Sequence, residues 1–202
     1  MSESQQQQQC HSINDFINNF KGGTRLNRFI VTGNIGPGIQ QTNNRVTPYH
    51  IRSATLPESA VGPLAINHRG RTVTYPGDRT YLPWQITVLD DHDGTATGNG
   101  GSSNLHKMFH DWQSQINNHV SNKTDYPQGS NPSSLFASSW NVQQLQTNGD
   151  NALSGRTFTL FNVWPIGVGP IVLDMSQDNV LSSFAVTIVY SHYTYDGAPL
   201  FA

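Results

Sequence analysis

A chain of 202 residues is long enough for one domain with generous loops. Only 12% of it is charged and the net charge is −2, which is too neutral for a dedicated nucleic-acid binder that must displace phosphate counterions. A single cysteine, Cys10, excludes an intrachain disulfide and any zinc site built on cysteines, and suits a reducing cytoplasm.

Solubility must come from uncharged polar groups: Asn, Gln, Ser and Thr number 19, 15, 19 and 17. Such a surface repels copies of itself weakly. Charge is also uneven, with eight Lys/Arg against four Asp/Glu in residues 1–89 and three against nine in 90–202. That asymmetry would let one face of a molecule attract another face of its neighbour.

Residues 1–24 hold the glutamine run Gln5 to Gln9 and end on Lys21-Gly22-Gly23-Thr24, a composition expected of a flexible arm. The start is polar, unlike a signal peptide, and no stretch reaches the ~18 apolar residues of a membrane span. Within the arm Ile13, Phe16, Ile17 and Phe20 recur at helical spacing, which predicts one or two amphipathic turns that dock on a partner.

Strand signals then dominate. Phe29-Ile30-Val31 and Val73 with Tyr75 read as short strands, and Trp84, Ile86 and Val88 alternate on one face of the next. One helix interrupts them: Leu105, Met108, Phe109, Trp112 and Ile116 form an apolar stripe, with Ser103 or Asn104 as N-cap and Val120 as a further turn. Phe158-Thr159-Leu160 begins another strand, and Ile171-Val172-Leu173 follows a Pro/Gly-rich turn. In the last strand Phe184, Val186, Ile188 and Tyr190 face one way. Residues 92–103 and 121–155, rich in Gly, Ser, Asn and Gln, read as long loops. The expected fold is mainly β: residues 25–202 form an antiparallel β-sandwich or barrel with one packed α-helix.

No catalytic constellation assembles. There is no Gly-x-Ser-x-Gly elbow, and the glycines of Gly33 to Gly38 lack the Lys-Ser/Thr of a phosphate loop. Asp90 to Gly94 lacks the closing Glu of a calcium loop. His106 and His110 stand at i, i+4 and would need a third ligand, Asp93 or His119, to hold a metal. Asn122-Lys123-Thr124 spells a glycosylation acceptor that matters only on a secretory route. The expectation is no enzyme, no cofactor and no metal.

Three co-linear stretches carry more information. They are Ile51 to Pro57 followed by Arg69 to Trp84 (RGRTVTYPGDRTYLPW), then Phe109 to Ser114, then Val163 to Gly169 running on through Leu173-Asp174. Together they resemble the tail tube protein family of contractile-tailed phages from about Asn27 to Tyr195. The residues that carry the resemblance are Leu56, Pro57, Gly77, Asp78, Arg79, Tyr81, Trp84, Trp112, Trp164 and Pro165. Each also has a local reading. Pro76-Gly77 suits a tight turn bonded by Asp78 and tied down by Arg79, Tyr81 and Trp84 feed the core, and Trp164-Pro165 ends a strand.

The resemblance implies a structural virion protein. Its hexameric rings would stack head to tail into the inner tube of a contractile tail, giving the channel for genome delivery. The implied partners are the tail sheath protein around the tube, baseplate and tail terminator proteins at its ends, and the tape-measure protein and DNA inside it. DNA would pass without sequence-specific binding, through a lumen made negative by residues from 90–202. The chain would reside in the virion tail, and in host cytoplasm during assembly. A tube protein of a phage-like injection device or type six secretion system would share the fold. A β-sandwich binding module, using Trp140 or Tyr193 to stack on sugars, is the other class of reading.

Overall fold

The computed structural model describes residues 13–20, 23–36, 45–90, 104–124, 135, 137–147 and 152–195. The glutamine run, the 92–103 stretch and the Asp91 to Gly94 fragment lie outside the described residues.

The chain forms a short helix, α1 (Ile13–Phe20), and then β1 (Phe29–Asn34), β2 (Arg45–Val46), β3 (Ile51–Ala54), β4 (Ser59–His68), β5 (Arg71–Tyr81) and β6 (Trp84–Leu89). Helix α2 (Leu105–Ile116) follows, then β7 (Ala137–Leu145), β8 (Ala152–Val168), β9 (Ser183–Val189) and β10 (His192–Tyr195). All pairings are antiparallel, in the order β2-β1-β7-β8-β9-β6-β3 with β10 also on β8, while β4 and β5 pair only with each other.

The long strand β8 makes one sheet into two layers. Its first part lies between β7 and β10, and its second part pairs with β9. The corner falls at Asn162, whose φ of 54° is left-handed, a conformation that asparagine tolerates better than most residues. Its Nδ2 donates to Ser191 Oγ at 3.2 Å across the bend.

Between the layers sits one core. Inward positions alternate along β9 (Phe184, Val186, Ile188) and β6 (Trp84, Ile86, Val88), as strand geometry requires. They meet Trp140 and Val142 of β7, and Phe158, Leu160 and Val163 of β8, in a single cluster. Helix α2 closes the cluster with Leu105, Met108, Phe109 and Trp112. Its N-cap is Asn104, whose side-chain oxygen accepts from Lys107 N at 2.9 Å. The mainly β architecture with one packed helix is the one the sequence predicted.

Four local expectations are corrected. Pro76-Gly77 is not a turn but lies inside β5; the chain reverses at Arg69 and Gly70, both at positive φ (48° and 77°), as a tight hairpin requires. Ile171-Val172-Leu173 is not a strand, because the last backbone bond to β9 is Gly169 N to Ala185 O and Pro170 has no N–H to continue the ladder. The stretch 121–155 is not one loop, since β7 and the start of β8 lie in it. Val120 adds no helical turn: α2 stops at Ile116, and Asn118 Oδ1 accepts from Val120 N and Ser121 N instead.

Candidate functional site

The residues singled out from sequence do not converge on a pocket. Leu56 packs against the core cluster and Pro57 is buried beside it in sequence, while Trp84 Nε1 donates to Thr55 O at 2.6 Å. Trp112 is fully buried and donates to Leu135 O at 2.8 Å. Trp164 and Pro165 do not end a strand. They lie within β8 opposite Val189 and Ile188, beside a register shift before Gly167.

Gly77 and Asp78 sit in a bulge, where the register jumps from Val61↔Arg79 to Pro63↔Pro76. A Cβ on Gly77 would stand 2.8 Å from Gly62 O, so the bulge needs a glycine there. Arg79 Nη1 donates to Ser59 Oγ at 2.9 Å across the same hairpin.

The hairpin β4–β5 is therefore built from the motif and rooted in the core by tyrosines. Tyr81 packs edge-on against Tyr193 (5.4 Å) and tilted against Tyr190 (5.9 Å). Tyr193 OH lies 3.0 Å from Ser59 Oγ, and Tyr190 OH donates to Glu58 O at 3.1 Å. Burial and the neighbouring Tyr193 push the Tyr190 phenol up from 10.0 to about 12. A folded-state value raised above the unfolded one favours the protonated phenol. Its stabilisation is complete below pH 10 and is lost as pH rises through about 12. Thermal stability should thus decline across that window, and Tyr190→Phe should shrink the decline; a melting curve series against pH in which both proteins fall alike contradicts this.

Beyond its root the hairpin is exposed on both faces. Register places Leu64 opposite Tyr75 and Ile66 opposite Val73, so these side chains share one face. Each is 45–54% exposed. The sequence reading found Val73 and Tyr75 but missed β4. Its signal was the alternation Leu64, Ile66, His68 running into Arg69-Gly70. Two further apolar surfaces are open. Helix α1 presents Ile13, Phe16, Ile17 and Phe20, with the two phenyl rings stacked at 4.9 Å. The β8–β9 connection presents Val172, Leu173, Met175, Val180 and Leu181.

His106 and His110 stand 4.6 Å apart on α2. Burial and then the neighbouring His106 hold His110 below its usual value. Among the described residues no group of three or more His, Cys, Asp or Glu forms around a common point. His119 instead lies 3.3 Å from Ser114 Oγ, and Asp93 lies outside the described residues.

The motif residues range from the buried Pro57, Trp84, Trp112 and Pro165 to the exposed hairpin bulge of Gly77, Asp78 and Arg79, in a β-sandwich with apolar side chains left exposed. A family model described as phage tail tube protein matches residues 16–196, and the chain belongs to that family. Tail tube protein gp19 of Enterobacteria phage T4 is 23% identical over 145 residues, covering 72% of this chain and 79% of that one. The tail tube protein of Serratia phage KSP90 is 28% identical over 138 residues, 68% of each chain. Among solved structures, a chain of the sheath–tube complex of the extracellular contractile injection system PVC superposes with a TM-score of 0.51 at 13% identity, over 91% of this chain and 97% of that one. The tube-terminating cap of the anti-feeding prophage gives 0.52 at 15%, over 87% and 92%. These two likenesses are of fold. The reading of the sequence as a tail tube subunit of the contractile-tail type stands.

Proposed function

We propose that this chain forms hexameric rings that stack head to tail as the inner tube of a contractile phage tail, the channel for genome delivery. The sheath protein surrounds the tube, baseplate and terminator proteins hold its ends, and the tape-measure protein and then DNA occupy the bore. Assembly takes place in the host cytoplasm, and the product stays in the virion tail. The motif residues from Leu56 to Pro165 act as structural joints of the subunit, not as a reactive centre.

The observation that carries this reading is the apolar face of the hairpin. Leu64, Ile66, Val73 and Tyr75 stand roughly half exposed on a molecule with few charges. A monomer seldom leaves a contiguous patch of that kind open. Among the described residues β2 and β3 are the edges of the sheet, and their backbone groups could be satisfied by pairing between copies. A ring that closes by rotation and stacks by translation needs two heterologous contacts, which separate surfaces on one subunit can supply. Native mass spectrometry of the concentrated chain should show the sixfold mass and its multiples. A series with no sixfold species sinks the hexameric ring.

A further inference from the structure

Two of the open apolar surfaces lie at opposite ends of one sheet. Strands β6 and β9 run antiparallel with Trp84 opposite Ile188 and Leu89 opposite Ser183. The hairpin β4–β5 joins at the Trp84 end, where Leu82 N donates to Glu58 O at 3.1 Å. The β8–β9 connection joins at the Ser183 end, where Asp90 N donates to Ser182 O at 3.0 Å. Six residues of strand separate the two ends by roughly 17 Å at ~3.4 Å per residue. The hairpin root and the connection therefore sit at opposite poles of the subunit's second layer.

The connection is a receptor in form. Val172, Leu173, Met175, Val180 and Leu181 line a groove of about 610 Å³ whose wall includes Arg52 of the edge strand β3. Val172 and Leu173 are more than 80% exposed, so none of the described residues covers this part of the groove's apolar lining. Asp174 is on its rim, and Asp178 lies exposed in the same connection. The hairpin carries the opposite charge: His68, Arg69 and Arg71 crowd its tip, beyond the apolar face.

From this complementarity we infer that the apolar face of the hairpin of one copy seats in the β8–β9 groove of the next copy. The Arg69/Arg71 tip meets Asp174 and Asp178, making the polar, head-to-tail contact between stacked rings. This rests on the stacking reading above and names its two faces. Apolar area supplies the adhesion, while the charges fix direction, because a hairpin tip against a hairpin tip would bring Arg69 and Arg71 of two copies together. The contact is heterologous and does not close on itself, so it propagates along an axis. Residues 1–89 contribute the Arg69/Arg71 plug and also Arg52 in the socket wall, while residues 90–202 contribute the acidic Asp174 and Asp178.

The test is cross-linking within assembled protein. On a Cys10→Ser background, Ile66→Cys with Leu173→Cys in one chain, treated with a short bis-maleimide, should give a ladder of covalent multimers, and each single variant at most a dimer. In parallel, Arg69→Glu with Arg71→Glu should cut the sedimentable fraction at least about tenfold. Adding Asp174→Arg and Asp178→Arg to the same chain should restore it, and unchanged circular dichroism melts would exclude misfolding as the cause. Tubes seen by microscopy without a ladder, or a reversal that the second pair fails to rescue, overturn the contact and leave the tube function standing. A wild-type chain that forms no oligomer at any concentration removes the function and this contact together.

Discussion

Trp140→Ala is expected to cost about 3–5 kcal/mol of folding stability, the range for truncating a buried large aromatic side chain. The indole is fully buried where the two layers and the helix meet: its ring lies 6.1 Å from that of Trp84 and 6.4 Å from that of Phe109. Its Nε1 donates to Asn34 O at 2.9 Å, so truncation also strands a carbonyl at the end of β1. The cavity cannot collapse easily, because Gly33 already lies flat against the ring. A Cβ on Gly33 would stand 2.1 Å from it, so Gly33→Val attacks the same contact from the other side. Urea denaturation of the unassembled protein measures both. A loss below about 1 kcal/mol for Trp140→Ala contradicts the placement of this residue at the centre of the core.

Replacing Leu64, Ile66, Val73 and Tyr75 together by threonine should have the reverse profile. Threonine keeps the β preference of the hairpin, and these side chains face one another across it and lie outside the core cluster, so the melting temperature should move little. Assembly should fail. Covering half of each apolar side chain is worth about 1 kcal/mol apiece, so even partial coverage by a neighbour makes the loss roughly 3 kcal/mol, or about a hundredfold in critical concentration. Sedimentation against protein concentration reads this directly. A variant that assembles at the wild-type concentration shows that the hairpin face is not an interface.

The parts of the fold legible in the sequence are those where burial is one-sided. Phe184 to Tyr190 and Trp84 to Val88 alternate because one face of each strand meets the core, and α2 shows its stripe for the same reason. Strand β7 hid because Ser, Asn and Gln occupy most of it and Trp140 and Val142 are its main inward anchors. Strand β8 looked like pieces because Gly155, Asn162, Pro165 and Gly167 punctuate it, although the long ladder with β7, β9 and β10 carries it through a corner. Pro76-Gly77 has the composition of a turn, yet the facing Gly62 makes it a bulge. That outcome depends on a residue fourteen or more positions away, which no local window sees.

Recognition of the family came from residues that prove to be hairpin root and core, such as Arg79, Tyr81, Trp84 and Trp112. The assembly faces were harder to read. An exposed apolar side chain can alternate like one that faces the core, and only the folded subunit shows that Leu64 and Leu173 stay half or more exposed among the described residues. The Trp140 and hairpin-face variants should therefore separate folding from the proposed assembly.

Electron microscopy of the purified, concentrated full chain tests the central claim most directly. The account predicts ring-shaped end views and open-ended tubes with a central channel. A uniform field of monomers at high concentration, from protein shown to be folded by its melting transition, would contradict it.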